Sequence, residues 1–196
     1  RRIANRRTQP PFGVPSSYER RPPMSIDLLR PRRSIRQFTD RAVEPEKIDL
    51  LVEAALRSPS SRGKNQWHFV VVTDPDKLAE LATAKPSGSS LIGGAPLAIV
   101  VAGRPQDTDV WVEDTSIASL IIHLEAHDLG LGSCWVQLRL REHDETRSAS
   151  EFVADVVGLG DEYLPEAIIA IGYPAAHKPG HPHTALMPDK VTYVRA

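Results

Sequence analysis

The stretch DTSIASLIIHLEAHDLGLGSCWV, residues 114–136, passes from a helix through a glycine turn into a strand. Ile117, Ala118, Leu120, Ile121, Ile122, Leu124 and Ala126 leave almost no polar face in the middle of 114–129. A helix that is apolar nearly all round has to be covered, either by a core or by another subunit. Gly130 supplies the stop. Cys134 to Leu138 then reads as a strand for the helix to lie against.

Working outward, helices and strands alternate. A short helix is expected at 25–30. Pro45 suits a first helical position, and Ile48, Leu51, Val52 and Ala55 mark one face of a helix that ends near Ser58-Pro59. Trp67 to Thr73 is aromatic and β-branched, hence a strand. Asp74-Pro75 caps and starts a helix carrying Leu78 and Leu81. Residues 84–94 are small, polar and glycine-rich, a loop. Leu97–Ala102 and Ala167–Ile171 are continuous apolar runs, as in buried strands. A weaker helix is expected at 147–157. The tail from His177 reads as loop, with a short strand at 190–194. The pattern predicts one α/β-type domain over 24–196 with a long buried helix.

Composition narrows the function classes. The chain has 196 residues, 41% of them hydrophobic and 25% charged, which is ordinary for a globular domain. No apolar run approaches the roughly 18 residues of a membrane span. The single cysteine, Cys134, excludes an internal disulfide and suits a reducing compartment, so a cytoplasmic location is expected. Residues 1–36 hold ten arginines against Glu19 and Asp27, a net +8, while the rest carries 14 basic and 23 acidic residues. Residues 1–23 have the Arg/Pro-rich composition of an extension outside the domain, and Met24 opens a segment resembling a natural start. No zinc-finger spacing or RNP-type aromatic motif accompanies the arm, so nucleic acid is not the expected partner.

Three segments hold residue types that bind polar ligands. Arg32, Arg33, Ser34 and Arg36 sit within five residues. Arginine forks match phosphate oxygens and paired carbonyls. In an extended chain, Arg32, Ser34 and Arg36 would share a side. Pro59-Ser60-Ser61-Arg62-Gly63-Lys64-Asn65-Gln66 links helix to strand and offers hydroxyls, amides and backbone N–H groups. Gly130-Leu131-Gly132-Ser133-Cys134-Trp135 lets a backbone approach a flat ligand closely. Each has a bland alternative: a solvated arginine cluster, a connector and a tight turn.

Taken together and in this order, the segments resemble the nitroreductase family of FMN-dependent enzymes. The resemblance rests on Arg32 to Phe38, on Pro59–Ser61 leading to Trp67-His68-Phe69, on Ala95-Pro96, on Gly130 to Gly132 and on Gly172-Tyr173-Pro174. It covers about residues 25–195. The resemblance implies an α+β fold, an α/β-type sandwich whose central sheet is mixed but mostly antiparallel and flanked by helices, with a long buried central helix. It also implies a homodimer with two FMN sites at the interface. Arg32, Arg33, Ser34 and Arg36 would hold phosphate, ribityl and pyrimidine groups, with Arg32 at the pyrimidine. Pro59, Ser60 and Ser61 would reach the flavin from the partner subunit, and Asn65 is counted with that loop. Backbone at Ser133, Cys134 and Trp135 would line the ring near N5, and Lys190 would be a second phosphate ligand. Trp111, read as preceding the long helix, would border the substrate channel. NADH or NADPH would deliver hydride to the flavin, and a small electron-poor acceptor such as a nitroaromatic or quinone would take it away, with no obligatory acid–base side chain. The chain departs from the family pattern at Lys64-Asn65-Gln66-Trp67, where proline commonly precedes tryptophan.

Other readings compete less well. Within the fold, the alternative is a flavin dehydrogenase or oxidase acting on a peptide or cyclic dipeptide. Outside it, the alternative is a non-enzymatic flavin-binding or docking protein. Gly132-Ser133-Cys134-Trp135 resembles the papain nucleophile motif, but only 62 residues follow Cys134. His123 and His127 have chelating spacing without the metalloprotease glutamate. They read instead as a half-exposed helix edge favoured by the dipole, and no metal is expected.

Overall fold

A computed structural model of the chain describes residues 26–195. The proposed extension over 1–23 and the start at Met24 lie outside the described residues. The elements run α1 (Ile26–Leu29), α2 (Pro45–Leu56), β1 (His68–Val72), α3 (Pro75–Leu81), β2 (Leu97–Gly103), α4 (Trp111–Asp128), β3 (Gly132–Gln137), α5 (Ala149–Val157) and β4 (Leu164–Gly172). Single 3-10 turns occupy Ser61–Gly63, Ser90–Gly94, His183–Ala185 and Pro188–Lys190.

The four strands form one sheet in the order β1-β2-β4-β3, every neighbouring pair antiparallel. Among the described residues, parallel pairing is confined to an isolated bridge between Ser34 and Ser133. The central strands β2 and β4 are apolar runs because both of their faces are covered. On one face Ala98, Val100, Val136, Ile168 and Ala170 pack with Leu78 and Leu81 of α3 and Val153 of α5. On the other, Leu97, Ile99, Val101, Ile169 and Ile171 pack with Leu51 and Ala55 of α2 and Ile122 and Ala126 of α4. The result is the expected sandwich, with α4 lying across one face of the sheet.

Local chemistry sets the helix ends. Asp74 caps α3 by accepting from the N–H groups of Asp76 and Lys77. Ser148 and Glu151 form a reciprocal capping box on α5, and Gly158 closes that helix in the left-handed region, so it is better defined than its sequence suggests. Two expectations need correction. Helix α4 begins at Trp111, not Asp114, because the buried indole packs on Gly103, where a Cβ would sit 2.9 Å from Trp111 Cε3. The tail forms no strand at 190–194. A 3-10 turn ends at Lys190, and Val191 and Val194 stay exposed without a neighbouring edge to pair with.

The register of β2 against β4 slips between Val101 and Ala102, so Glu166 is the additional residue of a bulge. It is only 2% exposed, and its Oε2 has no hydrogen-bond partner. Burial pushes its carboxyl up to about 7, against the opposing pull of the Gln137 side chain and Arg139. The folded protein therefore holds a proton there between pH 4.5 and 7 that the unfolded chain releases. Stability falls as pH rises through that window, by at most about 3 kcal/mol. Glu166→Gln should flatten this profile. Between pH 5 and 8 its stability relative to the parent should improve by about 2–3 kcal/mol in denaturant titrations. Parallel profiles for the two proteins would contradict the assignment.

Candidate functional site

The arginine segment is sewn into the sheet. Ile35 N–H donates to Ser133 O at 2.9 Å, Thr39 N–H to Tyr173 O at 2.9 Å, and Ala175 N–H to Gln37 O at 3.0 Å. Residues 34–38 thus lie extended between the start of β3 and the end of β4. The approach requires Gly132: a Cβ there would stand 2.7 Å from Ile35 Cβ. Gly130, at φ +75, makes the turn that delivers β3 to this point.

Around this seam lies a basic groove. Ser34, Ile35, Arg36, His177 and Lys178 line one part, and Arg33, His127, Gly130 and Leu131 line its continuation. Arg33 donates from Nη1 to Pro179 O at 2.7 Å and so pins the tail beside the motif. Lys178, which the sequence reading passed over, and His177, which it read only as part of a tail loop, therefore join the groove. Lys190 lies exposed in its 3-10 turn further along the tail.

Charge and burial act together on the neighbouring side chains. His123 is buried, not half-exposed as expected, with Nδ1 paired to Ser133 Oγ. Nothing in a dipole argument about helix ends reports on packing against a strand that follows. Burial, assisted by the Arg32 charge, lowers its pKa to about 4, so it is neutral near pH 7. Burial and Arg32 lower His127 as well. Cys134 is buried, and burial raises its thiol pKa against the pull of Arg36, Lys178 and Lys85. Trp135 is half-buried and donates from Nε1 to Gln137 Oε1 at 2.9 Å.

The Pro59–Asn65 loop sits at the other end of α4. Arg62, Gly63 and Asn65 all have positive φ, at 54°, 63° and 51°. The two non-glycine residues cost about 1–2 kcal/mol each, so surrounding contacts must hold them. Ser60 Oγ donates to Asn65 Oδ1 at 2.7 Å and accepts from Asn65 N–H at 2.9 Å. Lys64 Nζ donates to Asp107 O at 2.7 Å. Asp114, only 3% exposed, accepts from Ser61 N–H at 2.9 Å and from Gln66 Nε2 at 2.7 Å. Gln66 replaces the usual proline, and this bond is what it does here. An acidic residue in the first turn of the long helix was the available signal.

Within one chain the two segments are not brought together. Asp114 beneath the loop and His127 beside the motif are separated along α4 by about 20 Å at 1.5 Å per residue. Between them the outer face carries Ile117, 40% exposed, and Leu120, 51% exposed. Trp111 is buried at the loop end, with the Arg139 guanidinium 6.0 Å from its ring.

Known proteins are similar to this chain in sequence and fold. The family model described as "Nitroreductase family" matches residues 29–86 and 83–173. The chain belongs to the nitroreductase family. Among solved structures, an FMN-dependent nitroreductase from Clostridium difficile R20291 is 40% identical with a TM-score of 0.85, covering 88% of this chain and 100% of that one. A Methanothermobacter thermautotrophicus protein provisionally named NADH dehydrogenase/NAD(P)H nitroreductase is 34% identical over 153 residues, 76% of this chain and 77% of its own. The Bacillus subtilis FMN reductase (NADPH) is 25% identical over 171 residues, 77% of this chain and 66% of its own.

For this nitroreductase-family chain, the buried His123 gives a direct pH test. Its folded pKa is depressed, so stability present above 6.5 is lost as pH falls toward 4. Histidine ring resonances followed by NMR should show one group with a midpoint near 4 that disappears in His123→Gln. All histidines titrating between pH 6 and 7 would contradict the buried, neutral pair.

Proposed function

We propose that the chain is an FMN-dependent NAD(P)H oxidoreductase acting as a homodimer. Each FMN is held between the Arg32–Arg36 segment of one subunit and the Pro59–Asn65 loop of the other. The observation that carries this reading is the separation of motif and loop at opposite ends of α4, with exposed Ile117 and Leu120 between them. A two-fold axis near Leu120 would exchange the ends and bring each loop to the other subunit's motif. The tail supports it: Leu186, Met187, Val191 and Tyr193 are more than half exposed and suit a second copy. The names of the Clostridium and Bacillus relatives agree on FMN.

The residues fit the group. Arg33, Arg36 and Lys178 form a cationic groove for phosphate, with Lys190 as a further candidate ligand. Ser34 would meet the ribityl hydroxyls and Arg32 the pyrimidine. The Ser133–Trp135 backbone would line the ring, and Pro59, Ser60, Ser61 and Asn65 would close the site from the partner. Bound FMN supplies hydride acceptance and release at N5. The chain binds and orients, and with His123 neutral beneath Ser133, Arg32 supplies positive charge beside it. Trp111, buried at the loop end, is assigned to substrate selection. The acceptor is a small electron-poor molecule such as a nitroaromatic or a quinone. The reading includes a cytoplasmic location, supported by the lone buried thiol. Among the described residues no helix is long and apolar enough to cross a membrane.

An anaerobic absorbance spectrum tests the reading. The purified protein should show oxidised flavin that bleaches on addition of NADH or NADPH. Leu120→Asp, on the outer face of α4, should give a monomer by sedimentation with FMN affinity lowered at least roughly tenfold, since half of each site leaves with the partner. A persistent flavin spectrum would shift the reading to a dehydrogenase–oxidase. A protein that binds no FMN, or a Leu120→Asp monomer that binds it as tightly as the parent, would overturn the proposal.

A further inference from the structure

Asp114 is an unusual residue for its position. A carboxylate only 3% exposed sits in the first turn of a helix whose other buried side chains, polar Thr115, Ser119 and His123 among them, carry no negative charge. Both of its oxygens are spent on one loop. Oδ1 takes the Ser61 N–H at 2.9 Å, and Oδ2 takes the Gln66 amide at 2.7 Å. Those two donors bracket the turn containing all three left-handed residues, Arg62, Gly63 and Asn65. The clamp is also incompletely compensated. Gln66 is 6% exposed, and its Oε1 finds no partner in its burial; nor does Trp67 Nε1. A fold needing only a connector between α2 and β1 could use a relaxed turn. Holding a strained one with a buried carboxylate indicates that the loop's conformation matters.

We propose that Asp114 is a positioning residue that fixes the Ser60–Asn65 loop of one subunit in the conformation that closes the other subunit's cofactor site. The inference rests on the dimeric FMN reading above. Asp114 need touch neither cofactor nor substrate. It acts through Ser61, whose N–H it holds, and through Gln66, which ends the turn. The internal Ser60–Asn65 pair and the Lys64–Asp107 bond then have only the tip left to order. Because the clamp sits on α4, the helix proposed to pack against the second subunit also sets the loop's reach.

Two variants and two readouts test this in the full-length protein. Asp114→Ala removes both acceptors. The double variant Asp114→Asn/Gln66→Glu moves the negative charge across the pair. Asn at 114 still accepts from Ser61 N–H and donates its amide to the Glu carboxylate at 66, so both bonds can re-form. Arg62 and Lys64 are exposed, so trypsin cleavage after them, read by fragment mass, reports loop order without reference to activity. FMN affinity, read by fluorescence, reports the site. Asp114→Ala should be cut at the loop, and should bind FMN more weakly, each by roughly tenfold or more. The double variant should return both toward the parent. Faster cleavage with unchanged FMN affinity would overturn the positioning role while leaving the FMN reading intact. Unchanged cleavage and affinity in a folded Asp114→Ala would overturn it as well. Should Asp114→Ala fail to fold, the double variant decides: folded with parental affinity it supports the proposal, and folded with weak affinity it refutes it. A parent protein that binds no FMN would instead remove the reading on which the inference rests.

Discussion

Helix α4 must be covered on two sides, and most of the architecture answers to that need. Its inner face is satisfied by Ile99, Ile169 and Ile171 of the sheet and by Leu51 and Ala55 of α2. Its outer face keeps Ile117 and Leu120 in solvent within one chain. Apolar surface of that kind on a helix is a standing drive toward association. The helix also spaces the functional segments. It carries the loop clamp Asp114 at one end and, at the other, His123 against Ser133 and His127 beside the groove. Packing, the exposed apolar surface and the spacing of the candidate site are therefore properties of one element.

Electrostatics then separates the two ends. The motif end gathers Arg32, Arg33, Arg36 and Lys178, and burial and Arg32 lower the pKa of His123 and His127. A groove of clustered cations suits a phosphate-bearing ligand. The loop end instead uses hydrogen bonds to a buried carboxylate and holds two non-glycine residues at positive φ. One end attracts and the other shapes.

Much of this was legible in the residues. Strands β2 and β4 announce themselves because strands covered on both faces need no polar alternation, and α4 because it has no polar stripe. The arginine segment, the Pro-Ser-Ser loop and the glycine turn were found by residue type and order. What escaped depends on contacts between distant segments. Trp111 joins the helix because Gly103 leaves room for its ring. Val191–Val194 has β-forming residues but pairs with no strand among the described residues. The burial of His123 follows from Ser133 arriving beside it, and the bulge at Glu166 follows from a register no local pattern encodes. Lys178 enters the groove because Arg33 pins the tail at Pro179.

The measurement that bears most directly on the account is FMN stoichiometry in a mixed dimer. One subunit would carry Arg36→Ala and its partner a loop disrupted by Ser60→Pro, with the heterodimer isolated by two affinity tags. If each site draws its motif from one chain and its loop from the other, one site keeps both intact halves, and the heterodimer binds one FMN where the parent binds two. If each site lies within a single chain, both sites are damaged, and the heterodimer binds no more FMN than either homodimer of variants.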